Sequence, residues 1–439
     1  MLSSRGTVLG RNGRGKRRLL ALCIDRLVRT TESRALRCCL FSCLALATAC
    51  RQTDIGLRRP LPSVALTSPP AENLIANCAG SYQPVIDYFP DKAKIDHATQ
   101  FTVTYHGNYK RLVFRPNVEQ KVTEEYLLVQ CGTPVPPHDS HVQVVTVPAQ
   151  RFVLSNPSLL SAAVRMGLLQ SLIGVSSINS ISHPDVIERH RQGQISEVGS
   201  GLHSSVEVAM ATDTELLFTF YSAWPNYNTH PKLWEVGIRA LPTADHFEQT
   251  VLGRTEWIKF LALFFNRERQ ANEIFAPAAE RYEQLKTITQ SVSSRPEVLV
   301  GWPSGRDIWN LNGARNFFAA LIADAGGRYF WKDELSYSLI PVNLERAFDE
   351  QREARFYISR SFSANTRAGL ASLNPVMPNL RSFATNQIWS PDKNTKTHRR
   401  PPWQDQSLDY PDVVLKDMIA ALHPELLPRY EPYYLRKLD

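Results

Sequence analysis

Apolar and polar positions alternate in short runs from Gln100, and the period then lengthens. FTVTYH and YKRLVF alternate on either side of Gly107-Asn108, which predicts a hairpin. EEYLLVQC and VQVVTV predict two further strands. VPAQRFVLSN then leads into the helically spaced PSLLSAAVRMGLLQ, followed by the strand-like LIGVSS. VEVAMA and HPKLWEVG carry helical spacing; TELLFTF and IRALPT read as strands. The alternation restarts at PEVLVGW, a strand, and passes through the helix ARNFFAALIADAGG, which stops at Gly326-Gly327. LERAFDEQ is helical, ARFYISR a strand, and DVVLKDMIAALHP a helix ended by Pro424. Strands alternating with helices imply two α/β lobes with mainly parallel sheets.

Between the lobes lies GRTEWIKFLALFFNRERQANEIFAPAAERYEQLKTI. Its first part, EWIKFLALFF, is apolar on most of its circumference and so belongs inside. Thr255 is placed to cap it. Asn266 interrupts and is placed to cap a second helix from Arg267 to about Ile288, with an apolar stripe of Phe275, Ala278, Ala279, Tyr282 and Leu285. Pro277 predicts a kink or break there. At 1.5 Å per residue the second helix is roughly 33 Å long, enough to join two lobes as a stiff strut.

Charge changes the picture of the first fifty residues. They hold ten Lys or Arg and two acids, whereas the remainder holds 40 bases and 40 acids. The net charge of +8 therefore belongs to the N-terminus and does not point to nucleic acid. LRCCLFSCLALATAC, residues 36–50, has a basic flank and an apolar run too short to span a bilayer. Its end, Leu46-Ala-Thr-Ala-Cys50, resembles a bacterial lipobox, with Leu46 one place further out than usual. That makes Cys50 the lipidated N-terminus of the mature chain; the alternative is an ordinary signal cleaved near Ala49. Residues 51–76 read as a flexible tether. Five of the seven cysteines fall within residues 1–50. The two that follow, Cys78 and Cys131, form one disulfide in an oxidising compartment or two buried thiols otherwise.

The order leader, tether, α/β lobe, long helix, α/β lobe resembles the class III periplasmic binding proteins, which serve ABC importers of iron–siderophore complexes, haem and cobalamin. The resemblance is carried by GRTEWIKFLALFFNRERQANEIF, by LIADAGGRYFW and by DVVLKDMIAALHPELLP, and it covers about Phe101 to Tyr434. It implies a leader (1–50), the tether (51–76) and an N-terminal α/β lobe (77–250); the added hairpin region (77–147) is larger than the family fold needs and is expected to pack on that lobe and extend its sheet. An interlobe helical segment (251–291) and a C-terminal lobe (292–439) follow, with a ligand cleft between the lobes. It also implies a non-enzymatic, monomeric, periplasmic or extracytoplasmic receptor, lipid-anchored to a bacterial membrane. Such a receptor captures an iron–siderophore complex, or less favourably haem or cobalamin, and delivers it to a permease in the cytoplasmic membrane. In VEVAMATDTELL and VNLERAF the positions matching the family's permease-docking carboxylates are Glu207 and Glu345.

Ligand-wall candidates come from strand ends: Tyr221 and Trp224 in the first lobe; Trp302, Arg306, Trp309 and Trp389 in the second. Arg306 has the chemistry to bind a carboxylate or an iron-bound oxygen. Trp403 stands where the family often has a glycine-rich segment, which is a departure. His138, Asp139 and His141 have metal-ligand chemistry but lie in a Pro-flanked segment read as a solvated loop, so no metal site and no cofactor are expected. Nucleotide, zinc-hydrolase and serine-hydrolase motifs are absent from the sequence. The remaining alternatives are a secreted two-lobed α/β enzyme, such as a hydrolase or metal chelatase, and a ligand sensor.

Overall fold

The computed structural model describes residues 60–116, 123–199, 206–304, 307–361, 364–395 and 401–439. Cys50 and Arg306 lie outside the described residues.

The N-terminal strands are β1 (Phe101–His106), β2 (Tyr109–Phe114), β3 (Glu124–Gln130) and β4 (Gln143–Val147). β1, β2 and β3 pair antiparallel, and β4 joins β3 in parallel. The short pair Ser63–Val64 and Cys78–Ala79 lies apart from them, and a disulfide from Cys78 to Cys131 (S–S 2.07 Å) ties it to the end of β3.

The expectation that this region extends the first-lobe sheet is corrected, because the four strands form a sheet of their own. The reason lies in the helix Trp257–Leu263. All seven of its residues are buried, so it needs cover on two sides. The four-stranded sheet supplies one side: Phe101 meets the rings of Trp257 and Phe260 edge-on, each at 5.1 Å.

The first lobe's sheet contains β5 (Phe152–Leu154), β6 (Leu172–Val175), β7 (Ser196–Glu197), β8 (Leu216–Phe220) and β9 (Ala240–Thr243), all parallel, in the order β9-β8-β5-β6-β7. Its inner strands are apolar without alternation because both faces are covered. Helices α1 (Leu160–Arg165), α2 (Pro184–Arg191), α3 (Val206–Ala211) and α4 (His230–Glu235) alternate with them.

Helices α5 (Val251–Thr255), α6 (Trp257–Leu263) and α7 (Glu268–Gln290) follow. Two expected caps differ. Thr255 does not cap α6, whose N-cap is Glu256 with no side-chain cap bond; it ends α5, which Thr250 caps, and its hydroxyl donates to Val251 O one turn back. Asn266 adopts φ 56° between α6 and α7. Its amide donates to Leu74 O and Gln130 Oε1 and accepts from Lys110, so it fastens the N-terminal region and does not cap a helix. The expected break at Pro277 is also absent. Pro277 lies on the exposed face of α7, so the carbonyl of Glu273 that loses its partner lies on the solvent side.

The second lobe is built on β10 (Glu297–Ser304). Parallel to it run β12 (Arg328–Tyr329) and β14 (Phe356–Ser359), and β15 (Ile388–Ser390) is parallel to β14. The edges are antiparallel: β11 (Ile308–Asn312) with β13 (Leu339–Asn343) on one side, β16 (Arg436–Lys437) on the other. Helices α8 (Phe317–Asp324), α9 (Leu344–Gln351) and α10 (Pro411–Leu422) cover them.

Two cores result, and α7 belongs to both. Phe275 sits in the first, Tyr282 and Leu285 in the second, and Ala279 touches each. The chain also trades residues: Val251 and Leu252 enter the second core, and Leu408 enters the first.

Candidate functional site

The loops that follow the parallel strands of the two lobes meet along one boundary. Asn316, the N-cap of α8, donates to His246 O just after β9 (2.9 Å), and Phe317 N donates to Glu248 O (2.8 Å). Tyr337 of the second lobe packs against the first core. Further along, the segment from Trp403 to Asp409 crosses to the first lobe as a strap. The backbone N–H and hydroxyl of Ser182 both donate to the Asp405 carboxylate at 2.7 Å. Gln406 donates to the Ser182 hydroxyl, and Arg254 to the Ser407 hydroxyl. Asp409 accepts from the Ser161 hydroxyl (3.0 Å) and from Arg165 (2.9 Å). Burial pushes the Asp405 carboxyl up to about 6, against the hydrogen bonds from Ser182. Trp403 is buried against Phe318 and Tyr434, so it braces the strap from behind.

Arg360 is the cation of this boundary that the sequence did not single out. It follows β14 directly, and its guanidinium lies over Phe318 (5.2 Å) and Trp302 (5.9 Å). One Nη donates to Asn312 Oδ1 at 3.2 Å, while Nε is buried without an acceptor. No carboxylate among the described residues pairs with it. Burial, and then the charge of Arg254, push its pKa down to about 10. Arg254 has its own counter-ion in Asp245 (3.4 Å) and stacks on Phe317.

Gly301 makes this arrangement possible. It sits at φ 138°, and a Cβ there would lie 2.3 Å from Asn310 O and 2.5 Å from the Trp309 indole nitrogen. Its carbonyl accepts from the Tyr357 hydroxyl (3.0 Å) and from Arg360 N (3.4 Å), which fixes the start of the Arg360 loop beside Trp302.

The predicted wall residues divide. Trp302 is half-buried beside Arg360. Trp224 is 69% exposed after β8, flanked by the exposed rings of Phe220 and Tyr227. Two expectations are corrected. Tyr221 is buried in the first core against Phe114 and Phe247, and Trp309 is buried against Tyr357 in the second. Each points to the core face of its segment, leaving no surface for a ligand. Trp389 is half-buried within β15, packed on the second core. Close by on the first lobe, His246 stacks on Phe220 at 4.1 Å, and burial pushes its pKa down to about 4, so it is neutral at pH 7.

Glu207 and Glu345 are exposed in the first turns of α3 and α9, one in each lobe. Asn343 caps α9 by accepting from Arg346 N. His138 lies in an exposed loop, its ring bonded to Pro136 O, and among the described residues no group of three His, Cys, Asp or Glu gathers to hold a metal. No helix among the described residues is long and apolar enough to cross a membrane.

Comparison with known proteins agrees with this architecture. No family model matches. Two uncharacterized lipoproteins of Methanocaldococcus jannaschii are similar in sequence. One is 23% identical over 322 residues, covering 70% of this chain and 78% of its own. The other is 22% identical over 351 residues, covering 76% and 80%. Among solved structures, a periplasmic heme binding protein from Pseudomonas aeruginosa superposes with a TM-score of 0.50 at 19% identity, over 66% of this chain and 98% of that one. The chain thus shares its two-lobed α/β fold with a protein of the class its sequence resembles.

Proposed function

We propose that this chain is the extracytoplasmic substrate-binding lipoprotein of an ABC importer. It captures a metal chelate between its lobes, an iron–siderophore complex ahead of haem or cobalamin, and delivers it to a permease. The observation that carries this reading is a boundary between two cores that holds, against an aromatic face, an arginine with no carboxylate partner among the described residues. A half-buried cation without a counter-ion is costly in a free protein and suited to one that waits for a ligand. The two-lobed fold, the sequence likeness to lipoproteins and the lipobox-like end at Cys50 support the same reading.

A single helix rooted in both cores limits how far the lobes part, so recognition relies on a site largely formed in advance. Glu207 and Glu345, exposed on separate lobes, orient the loaded protein on basic permease residues and favour encounter over tight binding. The body needs no catalytic group for this work.

Native mass spectrometry of the purified protein with ferric hydroxamate, ferric catecholate, haem and cobalamin tests the proposal. One-to-one retention of one class is the expected result, and retention of none removes the uptake reading. Reversing both acids, Glu207→Arg with Glu345→Arg, is expected to abolish import in cells carrying the cognate permease while the purified variant still binds its chelate.

A further inference from the structure

Arg360 differs from the other arginines of the lobe boundary. Arg165 has Asp409, Arg254 has Asp245, and Arg281, on α7, has Asp412. Each of these carboxylates is at most 6% exposed on its side chain, so each of these arginines has a buried counter-ion. Among the described residues, the charged and titratable groups that act on Arg360 are Arg254, which repels it, and the Tyr329 phenol, which is neutral at pH 7. Tyr329 also spends its hydroxyl on Asn312 O. The contact that Arg360 does make, with Asn312 Oδ1, is to a neutral acceptor. Two aromatic rings flank the half-buried guanidinium.

We propose that Arg360 is the anion anchor of the cleft, and that the cargo is therefore a chelate carrying a free carboxylate, selected over a neutral chelate of the same size. This inference rests on the binding function proposed above and adds the charge class of the ligand. A guanidinium presents parallel N–H donors that match a carboxylate in a bidentate pair. Trp302, beside it, offers a flat face to the organic body of the chelate. The incoming carboxylate supplies the missing counter-ion, so the repulsion between Arg254 and Arg360 is relieved on binding.

The test compares matched ligands that differ in charge. The purified protein and its Arg360→Gln and Arg360→Lys variants are titrated with haem and with haem dimethyl ester, in which both carboxylates are blocked. A carboxylate-type ferric chelate and a neutral ferric trihydroxamate form a second pair. Binding is read by native mass spectrometry and tryptophan quenching, and folding by thermal melting of the unliganded proteins. The parent is expected to hold the acid form of at least one pair about tenfold or more tightly than its neutral partner. Arg360→Gln is expected to lose that preference, and Arg360→Lys to recover part of it. The melting temperature of Arg360→Gln is expected to equal or exceed the parent's, because a cation without a counter-ion has been removed.

Equal binding of acid and neutral forms, unchanged in Arg360→Gln, overturns the anchor and leaves the binding function standing. A lowered melting temperature in Arg360→Gln shows a structural cation and also overturns it. Retention of none of the four chelates by the parent overturns the anchor, and the binding function falls with it when ferric catecholate and cobalamin are not retained either.

Discussion

The two lobes are joined twice, by means that differ in kind. Helix α7 crosses the boundary with apolar side chains, Phe275 in one core and Tyr282 and Leu285 in the other. The strap from Trp403 to Asp409 crosses with carboxylates and hydroxyls. Apolar burial is indifferent to pH and to small changes of geometry, whereas a buried carboxylate depends on both. The helix therefore fixes that the lobes stay together, and the strap fixes how they are set against each other.

The largest expected effect comes from cutting the helix's hold on one core. Phe275→Ala removes a buried ring and is expected to cost about 3–5 kcal/mol in chemical denaturation. A loss below about 1 kcal/mol would mean that the first core does not depend on the strut.

The strap is expected to respond to pH in a way the helix does not. The Asp405 carboxyl is raised to about 6 from its ordinary 3.8, so between these values the folded protein holds a proton that the unfolded chain releases. Its contribution is fullest below pH 4 and is lost as pH rises through 6, by about 3 kcal/mol at 1.36 kcal/mol per unit. Asp405→Asn should flatten that part of the stability–pH curve, and parallel curves for parent and variant would refute the assignment.

Asp409→Ala leaves Ser161 without its acceptor and Arg165 without its counter-ion, though Arg165 keeps the backbone carbonyl of residue 409, and is expected to cost about 2 kcal/mol. Hydrogen exchange separates the two connections in this variant. Protection should fall in residues 403–410 and stay unchanged in α7. The smallest effect belongs to the helix itself. Pro277→Ala restores an N–H on the exposed face of α7 and should stabilise by about 1 kcal/mol, measured by thermal melting.

The same contrast explains what the sequence could disclose. The strut was legible because its apolar stripe repeats at helical spacing over many residues, and the alternation on either side announced two α/β lobes. Pro277 misled because sequence shows a breaker but not whether it faces solvent. The separate four-stranded sheet was hidden because the pairing of β3 with β4 is parallel and non-local, and because the demand of α6 for a second cover is a tertiary fact.

The site was only partly legible. Trp302 lies near the end of β10 and Trp224 beyond the end of β8, but Tyr221 follows β8 directly and Trp309 lies near the start of β11, and in a sheet covered on both faces composition does not say which ring turns inward. Arg360 carries a faint signal, a cation immediately after the apolar run of ARFYIS. What marks it is a missing partner, which becomes visible only when its neighbours are in place.

Ser161 and Asp409 are 248 residues apart in the chain, yet they meet in the strap. A polypeptide made from its N-terminus completes the strands of its first lobe long before Asp409 exists. Until then Arg165 has no counter-ion and the first core lacks Leu408. The tail of the second lobe finishes the first, so the two mature together at the end of synthesis. A chain cut before Trp403 yields two unfinished halves in place of one lobe that stands alone.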